Sequence, residues 1–200
     1  VEFVQEIGDP AAKKNKRIFH AARAVAVYGD RFFVADTDAN RVVVADQNGK
    51  VLRAWGEKGS KPGQFKSPAG IAVDTRGSVF VSDTSNHRIQ VFDGEGKLLR
   101  VIGAKGAGPR DLSDPSGIEV VDDLLYVADT GNDRIVKLTV EGVAMGQITG
   151  YVGDLAEVVD VAVDSRNRVY ALDQKSKIVI VFNSNGMPAA RIGAPVGDGP

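Results

Sequence analysis

The 200-residue sequence contains no cysteine, two histidines and one tryptophan, and aromatic residues make up 6% of it. Without cysteine there are no disulfides, no thiolate metal ligands and no cysteine nucleophile. The two histidines, His20 and His87, are too few for a histidine-rich zinc site. The sequence therefore predicts no disulfide-stabilised fold and no metal or other cofactor.

Net charge is also small, because 25 Lys and Arg residues nearly balance 26 Asp and Glu residues, leaving −1. With so small a net charge, the protein as a whole does not attract nucleic acid or an acidic membrane electrostatically. Such a role would depend on a local patch of basic residues. No apolar run approaches the roughly 20 residues of a membrane span, and no signal-peptide pattern is visible. Val1 already lies in a strand-like pattern, and we expect the natural N-terminus to lie upstream.

What the sequence does contain is a repeat. Closing glycines recur at intervals of 43 to 48 residues, at Gly8, Gly56, Gly103, Gly150 and Gly193. Residues 65–103 show the unit most clearly: four short runs rich in Val, Ile and Phe, separated by turns rich in Asp, Gly and Asn. Units of about 40 to 50 residues with four strands each are typical of propeller blades. We predict an all-β fold, a β-propeller of four-stranded antiparallel blades.

The whole chain, 1–200, is predicted to be one propeller domain or part of one. Residues 1–8 match only the last strand of a unit and are predicted to be an orphan outer strand. The blades are predicted at 21–56, 67–103, 114–150 and 158–193. Some of their strands, such as 79–81, are apolar on both faces, as expected when each blade is stacked between two others.

The best-preserved unit resembles the NHL repeat. The matching residues are Phe65, Pro68, Gly70, Ile71, Asp74, Gly77, Val81, Asp83, Asn86, Arg88, Ile89 and Phe92. The third unit keeps much of this pattern, and the first lacks the Pro-x-Gly. In the fourth unit we expect a middle turn shorter by one residue, with Lys177 in the place of the Arg.

The resemblance implies further blades, because NHL propellers usually close with six. We therefore expect either missing sequence or a partner chain that completes the ring. No accessory zinc-binding or coiled-coil segment is visible, which favours an extracytoplasmic bacterial protein, periplasmic or secreted, although the sequence leaves the localisation unknown.

An Asp and an Arg five residues apart recur in three units, as Asp36/Arg41, Asp83/Arg88 and Asp129/Arg134. An Asp at a strand end can accept turn N–H groups, and an Arg fork can reach a carboxylate or backbone carbonyls. Because catalysis rarely needs three copies of one pair, we interpret these pairs as structural.

In a four-stranded meander, the connections between blades and the turns between second and third strands share one face of the disc. We call it the connection face. It collects the basic residues that we predict to form a binding surface: Lys13, Lys14, Lys16, Arg17, Lys58, Lys61, Lys66, His87, Arg88, Lys105 and Arg110. The opposite face is weakly acidic.

The predicted inner strands, which would surround the propeller's central channel, carry two carboxylates, Glu119 and Asp160. The lyase-like and lactonase-like relatives place metal ligands in this region, and we find no corresponding histidine or carboxylate cluster here. We expect Glu119 and Asp160 to be solvated pore residues, and we predict no catalytic residues.

The resemblance to NHL proteins leaves three functions open. We favour a non-catalytic binding or assembly module that engages a protein partner, or a copy of itself, through a propeller face or open blade edges. One alternative is an enzyme or small-molecule binder that uses the central channel, completed by missing blades. The other is an RNA-binding platform on the basic face, for which binding weakens steeply with salt.

Overall fold

A computed structural model describes residues 18–149 and 155–193. Within these ranges the chain forms four four-stranded antiparallel sheets, each a meander in chain order, here numbered sheets 1 to 4. Sheet 1 comprises β1 (Ala22–Tyr28), β2 (Arg31–Asp36), β3 (Arg41–Asp46) and β4 (Val51–Trp55). Sheet 2 comprises β5 (Pro68–Val73), β6 (Val79–Asp83), β7 (Arg88–Phe92) and β8 (Leu98–Ile102).

Sheet 3 comprises β9 (Pro115–Val121), β10 (Leu124–Asp129), β11 (Arg134–Thr139) and β12 (Ala144–Ile148). Sheet 4 comprises β13 (Val158–Val163), β14 (Val169–Asp173), β15 (Ile178–Phe182) and β16 (Pro188–Ile192). The predicted all-β class and four-stranded antiparallel blades are confirmed. In the described ranges no helix is long and apolar enough to cross a membrane. The predicted orphan strand at 1–8 lies outside the described residues.

The hydrophobic core lies between the sheets rather than within any one of them. Three clusters of buried residues occupy the three seams between successive sheets. The seam between sheets 1 and 2 contains Phe33, Phe65 and Phe92, and Trp55 packs against Phe33 and Phe92. The first strands β1, β5, β9 and β13 lie side by side and line one cavity.

The middle turn of sheet 4 corrects our prediction. Asp173 pairs with Ile178, as Asp83 pairs with Arg88, so the turn has the same length and Ile178 takes the place of the Arg. Lys177 instead occupies the left-handed position, with φ of 60°, which His87 occupies in sheet 2 with φ of 56°. The turn needs a residue in the left-handed conformation to reverse the chain. The prediction placed Lys177 at the Arg position and therefore counted one residue too few in the turn.

Candidate binding face

On the connection face, Asp83 joins the middle turn of sheet 2 to the preceding connection, residues 56–67. The fully buried Asp83 carboxylate accepts hydrogen bonds from the backbone N–H of Lys66 at 2.7 Å and from Arg88 Nε at 2.7 Å. Arg88 also donates to the carbonyl oxygens of Lys61 and Gln64, each at 2.9 Å. The connection is thereby tied to the sheet by a buried ion pair.

The same arrangement recurs in sheet 3 with more contacts. Asp129 accepts from Ser113 N at 2.6 Å and from Arg134 Nε at 2.7 Å. Arg134, whose side chain is 6% exposed, donates to the carbonyl oxygens of Ala107, Gly108 and Asp111 and to Gln147 Oε1. All of these distances are 2.8 to 2.9 Å, so the guanidinium is fully used within the fold.

We call this arrangement the clasp: a buried Asp that holds the preceding connection and pairs with the Arg of the middle turn. The two end sheets, sheets 1 and 4, have clasps with fewer contacts. In sheet 1, Asp36 accepts from His20 N at 2.8 Å and pairs with the half-buried Arg41, which donates to Ile18 O. In sheet 4, where Ile178 occupies the position of the Arg, Asp173 accepts from the N–H groups of Ala156 and Glu157 and from Ser176 Oγ. Burial alone would raise the pKa of Asp173, but these hydrogen bonds outweigh burial and lower that pKa to about 2.

Asp173→Asn is expected to destabilise the fold at pH 7 and to have a much smaller effect near pH 2. The folded-state pKa of about 2 lies below the ordinary aspartate value of about 4. Ionised Asp173 therefore stabilises the fold above pH about 4, and this contribution is lost as the pH falls through 2. Urea unfolding at pH 7 and pH 2.5 measures the difference, with Asp38→Asn at an exposed position as the matched control. A pH-independent loss of stability would contradict this origin.

Of the predicted basic residues, those on the two described connections are displayed to solvent. They are Lys58, Lys61, Lys66, Lys105 and Arg110. Arg88 is 12% exposed and engaged by Asp83, and the His87 ring, 18% exposed, accepts from Asp114 N. Lys13, Lys14, Lys16 and Arg17 lie outside the described residues.

The connections 56–67 and 103–114 have the same local structure. Each has one parallel bridge, Lys58 to Phe65 and Lys105 to Leu112, and the bridged apolar residue is fully buried. Their charges differ: residues 56–67 hold three Lys and one Glu, whereas residues 103–114 hold Lys105, Arg110 and two Asp. The positive charge of the described connections is therefore concentrated on 56–67.

The cavity lined by the first strands has a volume of about 550 Å³ and contains Glu119, Asp160 and Arg23. Burial raises the pKa of Glu119, a hydrogen bond from Val163 N opposes this, and the Asp160 charge adds to the rise. Burial likewise raises the pKa of Asp160, against a hydrogen bond from Val161 N and the charge of Arg23. Within the described residues, no group of three or more His, Asp or Glu side chains is placed to hold a metal ion.

Two polar residues that the sequence reasoning missed contribute to these sites. Arg23 reaches from β1 to within 3.5 Å of Ser116 Oγ on β9. Gln90, fully buried, donates to Gln64 O at 2.7 Å and accepts from Gly63 N at 2.8 Å, which adds a second tie to the connection 56–67. In the sequence, Gln90 could have been recognised as a polar residue within the apolar run of β7.

Comparison with known proteins agrees with this geometry. A sequence profile described as the NHL repeat matches residues 65–92. That segment is an NHL repeat. Its matched residues include Asp83, Asn86 and Arg88, and thus most of the clasp of sheet 2.

Solved structures place this NHL repeat in a β-propeller, as predicted. A chain of the nidogen/laminin complex is similar with a TM-score of 0.72 and 20% identity over 90% of this chain and 66% of that one. Catalytically inactive virginiamycin B lyase from Staphylococcus aureus, solved with quinupristin, gives 0.69 and 15% over 88% and 57%. Hydrazine synthase from Kuenenia stuttgartiensis gives 0.68 and 15% over 86% and 48%.

At these identities the similarity establishes the propeller fold, and binding proteins and enzymes both occur among the neighbours. This chain spans about half to two thirds of the length of these three chains. No curated protein sequence matches it.

Proposed function

We propose that this NHL propeller chain is a non-catalytic binding module whose connection face binds an acidic segment of a protein partner. The observation that supports this is the display of Lys58, Lys61 and Lys66 on the connection 56–67. All three are exposed, while the backbone that carries them is fixed to sheet 2 by Asp83 and Arg88.

Rigid display matters because ordering a loop on binding costs free energy. Here Arg88 already holds the carbonyl of Lys61, and Asp83 already holds the N–H of Lys66. The lysine side chains still have to be ordered, but the backbone does not. The favourable interactions of the three ammonium groups are therefore not offset by a free-energy cost of ordering the loop backbone.

The chemistry of the described connections favours a protein partner over RNA. Sequence-tolerant RNA binding relies on exposed aromatic rings that stack on bases. The only aromatic residue in 56–67 and 103–114 is Phe65, which is fully buried. Asp111 and Asp114 also place negative charge on the neighbouring connection, which disfavours a continuous polyanion.

The test uses a fluorescent deca-glutamate peptide as the probe. The triple variant Lys58→Glu/Lys61→Glu/Lys66→Glu is expected to bind it about tenfold more weakly, because each exposed charge contact contributes about 0.5 kcal/mol. The matched control Lys50→Glu/Lys97→Glu/Arg166→Glu makes the same charge change at exposed residues on the opposite face and is expected to bind normally.

Fluorescence anisotropy at low and moderate salt compares the peptide with a decameric oligo-uridine. Equal loss of peptide binding in both triple variants would show that only net charge matters, and the proposal would fail. Tighter binding of the RNA with a steep salt dependence would instead establish the RNA platform.

A further inference from the structure

Sheets 1, 2 and 3 each turn one row of cross-strand neighbours toward the following sheet. The rows are Phe33, Val44 and Arg53 in sheet 1, Phe80, Val91 and Arg100 in sheet 2, and Tyr126, Lys137 and Gly146 in sheet 3. Val44 and Val91 are fully buried in their seams. Sheet 3 therefore has a charged Lys where the other two sheets have a buried Val, and no side chain where they have an Arg.

The two arginines of these rows bridge their seams. Arg53 forms an ion pair with Glu95 and donates to the Glu95 carbonyl oxygen at 3.5 Å, in the turn between the third and fourth strands of sheet 2. Arg100 Nε donates to Val140 O at 3.0 Å, in the corresponding turn of sheet 3. A Cβ built on Gly146 would meet nothing within 4 Å. The corresponding turn of sheet 4, residues 183–186, therefore faces an open space.

This space is a pocket of about 470 Å³ between sheets 3 and 4, within the size range of small-molecule sites. The buried part of its lining is apolar, with Tyr126 4% exposed and Val169 3% exposed. The more exposed part carries side-chain amides from both sheets, which belong to Gln147, Asn167, Asn183 and Asn185. Both walls are four-stranded sheets of the described chain, so the pocket is an internal feature of the propeller.

Lys137 supplies the positive charge of the pocket. Its Nζ lies 5.4 Å from the centroid of the Tyr126 ring, close enough for a cation–π contact. Lys137 forms no ion pair with any carboxylate of residues 18–149 and 155–193. Asp122, the acidic residue of the lining, is exposed at the turn between β9 and β10. A half-buried ammonium without a carboxylate partner favours a ligand that brings a negative charge.

The amides indicate what else the ligand carries. A side-chain amide both donates and accepts hydrogen bonds, and so does a hydroxyl group. Gln147 Oε1 accepts from Arg134, and Asn183 Oδ1 accepts from the N–H groups of Asn185 and Met187. The NH₂ groups of Gln147 and Asn183 are left as donors to a ligand. A molecule with one carboxylate and several hydroxyl groups matches this set.

We propose that the pocket between sheets 3 and 4 binds a small sugar acid. Its carboxylate pairs with Lys137, and its hydroxyl groups bond to the amides of Gln147 and Asn183. The turns that line the pocket lie on the face opposite the connection face, so this site is independent of the lysines on residues 56–67.

A nuclear magnetic resonance titration of the isotope-labelled chain with glucuronate tests the site. Glucuronate is expected to shift the backbone resonances of Gly146 and Asn185. Glucose, which has the same ring without the carboxylate, is expected to bind at least about tenfold more weakly. Lys137→Val introduces the residue found at the equivalent positions of sheets 1 and 2, so it is expected to fold and to weaken glucuronate binding by about tenfold.

Gly146→Arg introduces the Arg of the other two rows and is expected to abolish binding by filling the pocket. Its control is Gly146→Ala, which meets the same backbone restraint at φ of +147° but leaves the pocket open, and is expected to bind normally. Circular dichroism reports folding of each variant.

An absence of shifts at Gly146 and Asn185 would overturn the site. Equal binding of glucose and glucuronate, or normal binding by Lys137→Val, would overturn the role of Lys137. Tighter binding of inorganic phosphate than of glucuronate would overturn the assignment to a sugar acid. The variant Lys58→Glu/Lys61→Glu/Lys66→Glu is expected to bind glucuronate normally, so this proposal and the proposed function fail separately.

Discussion

Arg134→Met is expected to lower the free energy of unfolding by about 3–5 kcal/mol, because it leaves a buried aspartate without its charge partner. Asp129 is fully buried, and Arg134 is its only ion-pair partner in the described part of the chain. Methionine also removes the donors to the carbonyls of Ala107, Gly108 and Asp111. Urea unfolding monitored by fluorescence measures the loss.

The matched control is Arg41→Met, which removes the same residue type from the equivalent position in sheet 1. Arg41 is 30% exposed and donates to Asp36 and Ile18 O, so a loss of about 1 kcal/mol is expected. Asp36 keeps its hydrogen bonds from the N–H groups of His20 and Ala21. Equal losses in the two variants would mean that burial does not set the strength of the clasp.

Gly70→Ala is expected to cost about 3 kcal/mol, although alanine is usually a mild replacement for glycine. The new methyl group would overlap the carbonyl oxygen of Ser116 in the next sheet, and a backbone atom cannot move aside as a flexible side chain can. The same carbonyl accepts a hydrogen bond from Ser82 Oγ at 2.6 Å, which in turn accepts from Gly70 N. The substitution therefore pushes apart two sheets at a fully buried hydrogen-bonded contact.

Gly63→Ala separates this packing effect from backbone strain. Gly63 has φ of +84°, but a Cβ built there meets nothing within 4 Å. Its expected cost is about 1 kcal/mol, the penalty for a left-handed alanine. Thermal unfolding of both variants gives the comparison, and a larger loss at Gly63 than at Gly70 would contradict the role assigned to close sheet packing.

The repeat made most of the fold predictable. Apolar runs of three to five residues between Asp- and Gly-rich turns specify short strands, and a period near 47 with four runs per unit specifies blades. The Asp and Arg of the middle turns of sheets 1 to 3 were visible as a recurring pair. Their contacts were not, because the pattern does not show that Arg134 reaches the carbonyl oxygens of residues 107, 108 and 111 on a distant connection.

The binding face was less predictable for the same physical reason. The order of strands and turns places Lys61 and Arg88 on the same face of the propeller. It does not distinguish an exposed cation from one that is paired with a buried carboxylate. Arg88 is captured by Asp83, whereas Lys61 is not. In sheet 4 the error had another cause: with Ile178 in place of the Arg, Lys177 was the basic residue next to that position, and it lies one position too early.

The position of the core between sheets determines the smallest piece of this protein that is able to fold. Four described sheets contain three buried clusters, and each cluster draws its residues from two neighbouring sheets. An excised single sheet would have two exposed sides and no interior, whereas an excised pair keeps one complete interior. Domain dissection, gene duplication and partial unfolding should therefore proceed in steps that keep at least two consecutive repeats together.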